Sequence, residues 1–110
     1  MTRVQRWLMC CLLAVCFPVA AESFVVPAAL WERPRTAETV RAVPAVRQAL
    51  DLYLARPAAA VVIHHRPGQE PLVEAEELRA WLMALAVDGS RIRLLNDLRA
   101  GEPIVLEVTQ

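Results

Sequence analysis

The sequence has no lysine; each of its 12 basic residues is an arginine, set against 12 acids. It has three glycines, and three cysteines that all fall within the first sixteen residues, at Cys10, Cys11 and Cys16. Beyond the first 21 residues no run approaches 18 uncharged apolar residues, the length that would mark a membrane-spanning helix. Each scarcity excludes something. Without a basic stripe, nucleic acid and anionic membrane surfaces are poor partners. Without cysteine beyond residue 16, the rest of the chain holds no disulfide, thiol nucleophile or thiolate metal site.

What is present at the start is an address. Arg3 and Arg6 precede an apolar run over residues 7–17, and Pro18-Val19-Ala20-Ala21 supplies small residues at the end of it. A stretch this short cannot cross a bilayer, and the small-residue boundary marks a cleaved signal peptide. The expected cut follows Ala21, with Val19 and Ala21 at the −3 and −1 positions, and the chain is expected in the periplasm. "LAVC", ending at Cys16, faintly matches a lipoprotein processing box, but Val15 replaces the usual small residue, so ordinary cleavage is the favoured reading. Cleavage leaves 89 of the 110 residues, and losing Arg3 and Arg6 leaves ten arginines against twelve acids, a charge of about −2. That length makes one domain burying about 60–65% of the unfolded chain's surface.

Periodicity divides the remainder. "SFVV" from Ser23 is a candidate first strand, and residues 28–43 give no clean period, so residues 22–43 read as a strand and an irregular segment. "ETVRAV" there could be an edge strand or a helical turn. Residues 44–110 read as the compact part. Val46, Ala49, Leu50, Tyr53 and Leu54 form a helical stripe between Pro44, which suits a first turn, and Pro57. "AAVVIHH" is a short β-branched run bounded by Pro57 and Pro67-Gly68, a buried central strand. A helix over residues 72–87 follows, striped by Leu78, Trp81, Leu82 and Leu85, with Glu74, Glu76 and Glu77 favouring its N-terminal half. "RIRLL" and "PIVLEV" supply two more strands. The order β-α-β-α-β-β predicts an α+β two-layer sandwich, a small mixed sheet with two helices on one face.

"EELRAWLMALAVDGSRIRL" followed by "GEPIVLEV" sets Arg79-Ala80, Leu85, Gly89, Arg91-Ile92 and a final strand in the places they hold in the second half of a known fold. Over residues 44–108 the chain thereby resembles the OmpA-like, peptidoglycan-associating domain. The resemblance implies a cell-wall ligand gripped by Arg79 together with an aspartate in the loop after the second strand. Here that loop reads "HHRPGQEPLVEAEE" and has no aspartate.

The candidate ligand-binding residues are therefore Arg79, Arg66, His64 and His65, and Trp31, set among charges, is a candidate partner anchor. His64 and His65, adjacent on a strand, should point to opposite faces, so one metal cannot take both without a bulge. No catalytic residue, metal or cofactor is assigned. A hydrolytic motif around Ser23 or Ser90 is missing, and one His with carboxylates makes a poor zinc set. The function reading is an exported, non-catalytic binding or accessory protein, with peptidoglycan or an envelope protein as partner. Its alternative is an assembly protein docking a larger envelope complex.

Overall fold

A computed structural model describes residues 21–109. The expected signal peptide, apart from Ala21, and the lipidation candidate Cys16 lie outside the described residues. The elements are β1 (Glu22–Val25), a 3₁₀ turn (Ala28–Glu32), α1 (Ala37–Ala42), α2 (Pro44–Ala55), β2 (Val61–His65), α3 (Gln69–Ala84), a second 3₁₀ turn (Gly89–Arg91), β3 (Ile92–Asn96) and β4 (Val105–Val108). They form the α+β arrangement the sequence predicts, a four-stranded mixed sheet in the order β1-β4-β2-β3. β2 and β3 run parallel across the α3 connection, and β4 is antiparallel to both β1 and β2. No described helix is long and apolar enough to cross a membrane.

α2 occupies the expected span, because Pro44 costs nothing in a first turn that lacks an N–H partner and the chain turns extended at Arg56 ahead of Pro57. Residues 28–43 are more ordered than their sequence suggests. Thr36 and Thr39 each accept a backbone N–H of the other, a reciprocal cap that starts α1, and Val40 anchors this short helix in the core. A six-residue helix with one buried apolar residue has no period to read.

α3 starts three residues earlier than expected and ends three earlier. Pro71 falls inside its first turn, where a missing N–H is harmless. Gly68, just before, has φ 115°, a backbone conformation that side chains oppose. At the other end Val87 N–H donates to Leu82 O at 2.9 Å and Ala86 N–H to Met83 O at 3.2 Å. This Schellman closure holds Ala86 at φ 86°, where glycine is usual.

The core lies on one face of the sheet. Val61, Ile63, Leu106 and Val108 join Ala45, Val46, Ala49 and Leu50 of α2 and Ala75, Leu78 and Leu82 of α3 in one cluster. Strand side chains alternate, so the residues between them face the other way. Val62 demonstrates this: it is buried, yet lies outside the core cluster. Among the described residues no helix covers that second face.

Candidate functional site

The helix-free face carries two cross-strand rows. The strand registers align Val25, Val105, His64 and Leu95 across all four strands, and beside them Ser23, Glu107, Val62 and Arg93. Val25 is 58% exposed, and Val105 and Leu95 are half-buried. An apolar band therefore crosses the sheet, interrupted at its centre by an imidazole.

That imidazole is held at both ends. His64 Nδ1 lies 2.8 Å from the Asp97 carboxylate in the loop after β3, and Nε2 lies 2.9 Å from Oε1 of Glu107 on β4. The His64 side chain is 17% exposed, Glu107 28% and Asp97 49%. Both contacts are hydrogen bonds only when both ring nitrogens carry protons and donate, which is the imidazolium form. Burial lowers the His64 pKa, but the hydrogen bonds it donates to Glu107 and Asp97 and their charges outweigh it, so the pKa is raised above the ordinary imidazole value. The geometry excludes two chemistries at this ring. Neither nitrogen is free to take a proton from a nucleophile, and carboxylates on opposite edges of one ring cannot converge with it on a metal ion. No group of three or more potential ligands is gathered for a metal among the described residues.

His65 faces the core, as adjacent positions on a strand require. It is 4% exposed and its Nδ1 is 2.8 Å from the carbonyl of Arg66. Of the two histidines, His65 is therefore buried and His64 half-buried. β4 lies along one side of His64, and the β3 loop closes its far edge. Asp97 and Glu107 were missed because they lie 33 and 43 residues from His64 and meet it only through strand pairing. The one sequence signal was Glu107 itself, an acid at an outward position of "VLEV".

The other candidates separate. Arg66 lines a small cavity of about 80 Å³ with Trp31 and Glu74 at the carboxyl end of β2. Burial pushes the Glu74 carboxyl up, against the opposing charge of Arg66. Arg79 lies at the opposite end: its Nη2 donates to Gly89 O at 3.4 Å, just ahead of Ile92, which pairs with the first residue of β2. At roughly 3.3 Å per residue, the ends of β2 are about 13 Å apart. Arg79, Arg66 and the histidines thus form no single pocket among the described residues.

Trp31 packs against the core, with the Arg35 guanidinium 5.3 Å above its ring. Arg35 makes a bidentate pair with Glu77 of α3, with Nη2 to Oε1 at 3.1 Å, and also donates to the carbonyls of Trp31 and Arg33. Trp81 Nε1 donates to the same carboxylate at 3.1 Å. The Arg35 hydrogen bond, assisted by Trp81, holds Glu77 below the usual carboxylate range despite partial burial. This cluster fastens the 3₁₀ turn and the start of α1 to α3. Comparison of the chain with family models, with curated proteins and with solved structures gives no match.

Proposed function

We propose that the chain is an exported, non-catalytic module of the cell envelope that docks a partner protein through the helix-free face of its sheet. The observation carrying this reading is the row Val25–Val105–His64–Leu95, an apolar band on an uncovered sheet face. Contiguous apolar surface left uncovered by the fold is a mark of interaction sites. The two outer strands, β1 and β3, each pair on one side only, so a partner strand could also extend the sheet. The leader pattern supports export, and β1 begins at Glu22, directly after the expected cut. The locked His64 ring supports binding over catalysis, since its nitrogens serve the fold.

A protein partner is favoured over peptidoglycan because Arg79 bonds a backbone carbonyl away from the β2 loop, and that loop holds no aspartate. Two assays separate the readings. A photo-crosslinking side chain at Val25 or Leu95 should capture a discrete envelope protein in living cells, and one at exposed Val73 of α3 should not. In sedimentation with purified, insoluble peptidoglycan, the protein should stay in solution, and Arg79→Ala should behave as the parent does. Pelleting of the parent but not of Arg79→Ala would replace this reading with the cell-wall one.

A further inference from the structure

Leu54 breaks the pattern of its helix. The α2 stripe that buries Val46, Ala49 and Leu50 should also bury it, yet it is 64% exposed. It lies in a groove of about 460 Å³ whose lining is Leu50, Leu54 and Leu85 together with Arg41, Arg47 and Asp51. A second depression of about 280 Å³ shares Arg41 and Leu85 and adds Ala37 and Glu38. The two adjoin at Arg41 and Leu85, where the surface of α2, the residue after α3 and α1 come together.

The charges around it are unspent. Among the described residues neither Arg41 nor Arg47 makes a side-chain hydrogen bond or ion pair, although Asp51 is one turn from Arg47 and Glu38 nearly one turn from Arg41. Two exposed guanidinium groups over a leucine floor suit an anion with an apolar tail, because a guanidinium grips a carboxylate in a planar, two-pronged fashion. Asp51 and Glu38 flank the arginines and would repel a second negative charge, which selects a monoanion over a phosphate. The size agrees, since small-ligand clefts span about 300–1,000 Å³. The lining is far short of the roughly 20–30 residues a side of a stable protein interface.

We propose that this groove binds a single-chain amphiphilic carboxylate of the fatty-acid type, its head on Arg41 and Arg47 and its chain along Leu50, Leu54 and Leu85. The site is independent of the sheet face, which lies on the other side of the β-layer.

Titration of the purified protein with decanoate, followed by the methyl resonances of Leu54 and Leu85, tests it. Saturable shifts confined to the groove are expected, with a Kd below about 1 mM for a ligand of this size. The Arg41→Ala/Arg47→Ala double variant should bind about tenfold more weakly or worse. Decanol should bind the parent as weakly as decanoate binds that variant, and decyl phosphate should bind no better than decanoate. Both arginines are exposed, so the variant should keep the parent's melting temperature. Leu54→Glu should abolish binding on a folded chain. Absence of saturation, shifts outside the groove, or equal binding of decanol and decanoate by the parent would each overturn the proposal. So would a dimer in sedimentation that Leu54→Glu dissociates, since a second copy would then be the occupant.

Discussion

Leu78→Ala is expected to remove about 3 kcal/mol of folding stability, within the range of roughly 2–5 kcal/mol for truncating a buried leucine. Leu78 is fully buried in the core cluster, where α3 meets the sheet. The lost methyl groups leave a cavity that interlocked neighbours fill only partly. A small domain has roughly 5–15 kcal/mol in total, so this one change consumes a large share of it. Each kcal/mol shifts the melting temperature of a domain this size by about 4–8 °C, which predicts a fall of about 12–24 °C. Val73→Ala on the same helix is the control. Val73 is 56% exposed and alanine is the better helix former, so its melting temperature should stay within a few degrees of the parent. Thermal unfolding followed by circular dichroism measures both. Equal losses at the two positions would mean that α3 does not pack as described.

The second large effect is a dependence of stability on pH. In the folded chain His64 holds its proton more tightly than an unfolded imidazole, because Glu107 and Asp97 accept from its two nitrogens and outweigh the cost of burial. A group whose pKa is raised on folding contributes stability that is fully present below its unfolded value, about 6.5 for histidine. That contribution is lost as pH rises through the folded value. The chain should therefore be more stable at pH 6 than at pH 9. His64→Gln keeps a polar side chain but cannot titrate, so most of the difference should vanish in that variant. Denaturant midpoints at pH 6, 7, 8 and 9 give the measurement. A parent whose stability is flat, or rises with pH across this window, would show that His64 is not clasped between the two carboxylates. If the sheet face docks a partner, deprotonation also frees Glu107 and Asp97 on that face, so affinity for the partner should depend on the same titration.

How much of this was legible in the sequence depends on how far apart the interacting residues lie. α2 declared itself because two prolines bracket one helical stripe, and β2 because a β-branched run falls between turn residues. These are local signals. α1 was only half legible: "ETVRAV" read as an edge strand or a helical turn, since a six-residue helix resting on Val40 and a pair of threonine caps shows no period to decide between them. The placement of β4 was equally hidden. The last strand inserts between β1 and β2, and only that non-local pairing brings Glu107 to His64. The histidine pair was rightly placed at the end of a central strand with its rings on opposite faces, but what each ring touches could not be read from its neighbours in sequence. Leu54 is the converse case. It fits the helical stripe on paper, yet it is 64% exposed, because burial depends on what packs against the helix and not on its period alone.

The central claim, that this chain is exported, is tested most directly by the N-terminal sequence of the protein recovered from the periplasmic fraction of its producing cell. The account predicts one species whose first residue is Glu22 with a free amine. A species retaining Met1 in the cytoplasmic fraction, or one beginning at an acylated Cys16 in the membrane fraction, would contradict it.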